Sequence, residues 1–65
     1  MNDYKLLAHI VKELEKLRHE REAFLVANRI DSFEEYRHVC GVIRGLNLAE
    51  NIVNDLVQKL ERSDD

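Results

Sequence analysis

Apolar residues in the first half of the chain recur at Leu7, Ile10, Val11, Leu14, Leu17, Phe24 and Leu25. This is the spacing of one helix face, and Lys12, Glu13, Glu15, Lys16, Glu20 and Glu22 fall mostly outside it. Asn2 or Asp3 can cap the start, because either side chain can accept a bond from a free N–H of the first turn. Lys12–Glu15 and Lys16–Glu20 are spaced for weak surface pairing. The pattern predicts a first helix over residues 3–28. It breaks at Asn28-Arg29-Ile30-Asp31-Ser32, which places a turn at 29–31. Ser32 followed by Glu35 fits a capping box, with Asp31 as a competing cap and Ile30 placed to pack on Tyr36 or Phe33. A second helix is predicted over 32–62, with an acidic tail at 63–65. No proline interrupts either segment. A connection this short favours antiparallel neighbours, so the expected fold is all-α, an antiparallel two-helix hairpin.

The apolar residues of the second helix do not form one stripe. One set is Gly41, Gly45, Leu48, Ile52 and Leu56, with Ala49 at its edge; the other is Tyr36, Val39, Ile43, Leu46, Val53, Val57 and Leu60. At the helical period their mean directions differ by roughly 150°. One hairpin partner can cover only one such side, so a surplus apolar face is expected. Antiparallel register about the turn puts Leu17 near Gly45, Arg21 near Gly41, Leu14 near Leu48 and Ile10 near Ile52. Each glycine costs a helix interior about 0.8–1 kcal/mol relative to alanine, and close approach of a neighbour would offset that. Gly41 and Gly45 are therefore expected to pack closely on the first helix. Tyr36, Val39, Ile43, Leu46, Val53, Val57 and Leu60 are then expected to meet a second chain. Two hairpins joined this way make a four-helix bundle, with twofold symmetry as the commonest closed solution.

Length sharpens that expectation. A chain of 65 residues is one domain at most, and a core this small supplies only ~3–5 kcal/mol. Cys40 is the only cysteine, so no intrachain disulfide can add to it. Ten Lys+Arg against 13 Asp+Glu leave a net charge of −3, which argues against sequence-independent binding of nucleic acid. No run of 18–20 apolar residues and no leader pattern is visible, so a soluble, cytoplasmic protein without a membrane partner is expected.

Arg18 and Arg21 interrupt the first stripe. Their aliphatic stems can cover the core while the guanidinium groups reach water or a carboxylate. Alternatively, Arg18, Arg21, Arg37 and Arg44 form an anion-contact site, since guanidinium suits carboxylate and phosphate. Asn47, Asn51 and Asn54 read as solvated groups, or one of them as a buried register-setting residue. His9, His19, His38 and Cys40 are the candidate soft metal ligands. His38 and Cys40 point to different sides, and His19 with Glu15 supplies only two ligands, so no metal site is expected. Nothing marks Cys40 as an activated nucleophile. No cofactor and no catalysis are expected.

The segment Phe33-Glu34-Glu35-Tyr36-Arg37-His38-Val39-Cys40-Gly41-Val42-Ile43-Arg44-Gly45-Leu46 continues into Asn47-Leu48-Ala49-Glu50-Asn51-Ile52-Val53-Asn54-Asp55-Leu56. It resembles very small helical proteins of tailed bacteriophages over residues 33–62, about half the chain. There an aromatic–basic–x–x–x–Gly–x–Ile–x–Gly–Leu segment leads into a Leu–Ala–x–x–Ile–x–Asp–Leu helix and a charged tail. The first helix matches only in length and charged character. The resemblance implies a phage origin and a place in the virion or in host takeover, not a mechanism. In size and hairpin plan the chain is also similar to the plasmid-copy-number RNA-binding hairpin dimers, although its acidic charge argues against their RNA activity. The function expected is a non-enzymatic, self-associating structural, adaptor or inhibitor module, with itself and a host or virion protein as partners. The alternative is a nucleic-acid-associated regulator using the four arginines.

Overall fold

The computed structural model describes residues 3–27 and 30–63. The expected cap at Asn2, positions 28 and 29 at the turn, and residues 64 and 65 of the expected tail lie outside the described residues. Two helices make up the fold, α1 (Asp3–Val26) and α2 (Phe33–Ser63), with no strand among the described residues. They pack side by side along their length into a rod of 51 × 15 × 13 Å. The all-α hairpin is thus as the periodicity predicts, with small differences at its ends. The last α1 turn closes through Ala27, whose N–H donates to the Ala23 carbonyl at 2.9 Å. Ser63 continues α2 instead of opening the tail.

The start of α2 is set by Ser32. Its hydroxyl oxygen accepts from the Glu35 N–H at 3.1 Å, and its carbonyl accepts from the Tyr36 N–H at 3.1 Å. The first bond satisfies a helix-start N–H that would otherwise lack a partner and the second is the first bond of the helix ladder, so Ser32 and not Asp31 is the cap. Phe33 and Tyr36 stack on each other just beyond it, ring centroids 6.3 Å apart.

The faces of α2 are the reverse of those expected. Val39 and Val57 are buried, and Ile43, Leu46, Val53 and Leu60 are half-buried against α1. Tyr36, at the end of that set, is exposed. Gly41 and Gly45 lie in the open: a Cβ built on either meets nothing within 4 Å, so the close packing expected there is absent. The reason lies in one residue of each helix. Glu50 shares the Val39–Leu60 face and is only 7% exposed. Arg18 stands in the facing stripe of α1. Its Nε donates to Glu50 Oε2 at 2.7 Å and its Nη2 to Glu50 Oε1 at 3.2 Å. Turning the glycine face inward would carry Glu50 away from Arg18 and forfeit both of these charge-assisted bonds, leaving Arg18 with Glu22 alone. The pair therefore selects the valine face.

Candidate functional site

With the valine face used, the uncovered apolar surface is on the other side. Leu48, Ile52 and Leu56 of α2 are 57%, 64% and 46% exposed. Gly41 and Gly45 continue their stripe toward the turn. α1 contributes too: Leu6, Ile10 and Leu17 are about half exposed. Two of these, Ile10 and Leu17, were expected inside the first stripe. The apolar set of α1 is in fact wide enough to divide: Leu7, Val11, Leu14 and Leu25 turn toward α2, and Leu6, Ile10 and Leu17 turn away.

These two outward sets face the same way. At 100° per residue, residues 6, 10 and 17 are displaced about 85° from the packed direction of α1, and residues 48, 52 and 56 about 130° from that of α2. The two rotations have the same sense along each chain. Because the helices run antiparallel, they carry both sets to one flank of the hairpin. Leu6, Ile10 and Leu17 therefore lie alongside Leu48, Ile52 and Leu56. The opposite flank carries the exposed Val26, Phe33 and Tyr36 toward the turn, and an open cleft of 390 Å³ lined by Arg18, Glu22, Cys40, Ile43, Arg44 and Asn47.

The total area agrees with an unfinished surface. A folded monomer of 7.7 kDa is expected to expose about 4,300 Å² by the scaling of area with mass; this chain exposes 5304 Å². The surplus is roughly 1,000 Å², comparable to the ~800 Å² each partner gives up in a standard protein–protein interface.

The four arginines do not converge. Arg18 is engaged by Glu50 and also donates Nη1 to the two Glu22 carboxylate oxygens at 3.2 and 3.3 Å. Bonding to Glu50 foremost, and the two carboxylate charges, hold its guanidinium above its already high ordinary pKa, although partial desolvation opposes this. Arg21 lies over the Phe24 ring, 6.0 Å from its centroid. Arg37 and Arg44 remain exposed and line a shallow groove with Phe33, Tyr36, Cys40 and Gly41. In that groove hydrogen bonding to Cys40, then the charge a thiolate would carry, then desolvation push the Tyr36 phenol above its ordinary pKa.

The surface ion pairs differ from those the spacing suggested. His9 approaches Glu13 at 3.6 Å and His19 approaches Glu22 at 3.3 Å, whereas Lys12–Glu15 and Lys16–Glu20 form no ion pair. No cluster of three His, Cys, Asp or Glu residues suited to a metal occurs among the described residues. Neither helix is long and apolar enough to cross a membrane.

Sequence reasoning passed over the Arg18–Glu50 pair. Its signal was a single carboxylate in the middle of one apolar face opposite a single guanidinium in the middle of another. Comparison of the chain with known protein families, with curated proteins and with solved structures finds no match.

Proposed function

We propose that this protein is a non-enzymatic, self-associating module that acts through protein–protein contacts, as a structural component, adaptor or inhibitor. The observation that carries this reading is the flank on which Leu6, Ile10, Leu17, Leu48, Ile52 and Leu56 all stay exposed on a thin hairpin. Exposed clusters of large apolar side chains mark contact surfaces. The resemblance to small phage proteins suggests the setting, a host cytoplasm or a virion, with a host or virion protein as the further partner.

The nucleic-acid reading loses support, because Arg18 is bound to two carboxylates and Arg21 is turned onto Phe24. Of the four candidate arginines only Arg37 and Arg44 share a groove, and two cations on an acidic chain are few for neutralising a phosphate backbone.

Sedimentation equilibrium over a wide concentration range tests the proposal. A mass approaching twice the chain mass of 7.7 kDa is expected. A well-folded monomer at every concentration would overturn it.

A further inference from the structure

We infer that the exposed stripe of α2 is complementary to its own image. A second copy of the chain packs the same stripe against it, antiparallel, about a twofold axis between Leu48 and Ala49. The two turns then lie at opposite ends of a four-helix bundle. This rests on the self-association reading and adds orientation and register to it.

The stripe occupies positions 41, 45, 48, 49, 52 and 56. Reversed about the midpoint between 48 and 49, the set falls on itself. Gly41 comes level with Leu56 of the second copy, Gly45 with Ile52, and Ala49 with Leu48. Every pair joins a small residue to a large one. An isologous interface requires a surface that fits its own rotated copy, and facing layers interdigitate when large and small residues alternate across them. Both glycine notches are vacant, with nothing within 4 Å of a Cβ. The three large residues that would fill the notches and cover Ala49 are among the most exposed apolar side chains of α2. Two glycines in the interior of a 31-residue helix, each unfavourable there, thereby acquire a role that contact with α1 does not give them.

Charge agrees. Arg44 and Asp55 lie on the outer edge of the stripe. In this register Arg44 comes within about two residues, ~3 Å along the axis, of Asp55 of the second copy. The twofold axis repeats that pairing. The same flank carries Leu6, Ile10 and Leu17, so the apolar surface open to a second copy extends from α2 onto α1. If the turns lay at one end instead, α1 of one copy would cover the glycines of the other, and the small-to-large match within α2 would go unused.

Orientation is read by attaching a nitroxide to Glu34→Cys in a Cys40→Ser background of the full chain and measuring the label separation by pulsed electron resonance. Opposite ends place the labels about 45 Å apart, since each lies 14 to 15 residues from the axis. Turns at one end would place them about 15–20 Å apart across the bundle diagonal. A short distance in a species of dimer mass overturns the orientation and leaves self-association standing, whereas a monomer by light scattering removes both. Register is read separately. Gly45→Leu should weaken association roughly tenfold or more while the hairpin keeps its helicity, and Gly45→Leu combined with Ile52→Ala should recover it. Failure of that recovery, with helicity intact, overturns the register.

Discussion

Glu50 lies in the middle of the Val39–Leu60 face, where a carboxylate kept from water needs a cation, and Arg18 is the cation α1 supplies there. The two are not equally dependent on each other. The Arg18 side chain keeps 22% of its exposure and a second partner in Glu22, whereas the Glu50 side chain keeps 9%. Removing the arginine therefore strands a buried charge, and removing the glutamate does not. Arg18→Met is expected to lower the melting temperature by on the order of 5–10 °C, and Glu50→Leu by less; Arg18→Met with Glu50→Leu should melt near or above the parent. Thermal unfolding followed by circular dichroism checks the order, and identical melting in all three variants would deny the pair any part in choosing the face. Both residues were visible in the sequence. What was not visible is their pairing, because a helical wheel gives each side chain a direction but no counterpart. The wheel therefore allows Arg18 a carboxylate partner without naming it, and gives Glu50 no mark that sets it apart from the other polar positions.

The helices themselves were legible almost to their ends. Repeats of three and four residues, the absence of proline and the Ser32-x-x-Glu35 signal place α1 and α2 within two residues of their observed limits. Ser32 and Asp31 were rivals for the cap, and the bond from the Glu35 N–H decides for Ser32. Ser32→Ala should therefore cost about 1 kcal/mol, lowering the melting temperature by ~4–8 °C in a domain of this size. Asp31→Ala should leave it within about 2 °C. A larger effect at Asp31 would return the cap to that residue. The assignment of faces failed on the glycines. Their helix-interior cost can be offset by a close neighbour inside the hairpin or equally by one in another chain. Helical period alone cannot distinguish the two. Nor could it show that the apolar set of α1 divides, since Leu6, Ile10 and Leu17 are displaced by about one residue step from the packed stripe.

At the scale of the whole molecule the two sides of α2 differ in burial, and one chemical change applied to each tests the separate tasks proposed for them. Val57 is 6% exposed and packs on α1; Ile52, five positions earlier, is 64% exposed and points to the open flank. An aspartate at 57 places a carboxylate in the hairpin core with no arginine opposite, so Val57→Asp should abolish most of the helical signal. An aspartate at 52 stays in water in the single hairpin but would be buried unpaired if two hairpins meet there. Ile52→Asp should therefore keep helicity at concentrations where the parent associates, and yield the monomer mass. Folding coupled to association makes the melting temperature rise with protein concentration. The parent should show that dependence and Ile52→Asp should not. If Ile52→Asp associates as the parent does, the contact surface lies elsewhere on the rod; if Val57→Asp stays folded and helical, the valine face does not hold the hairpin together.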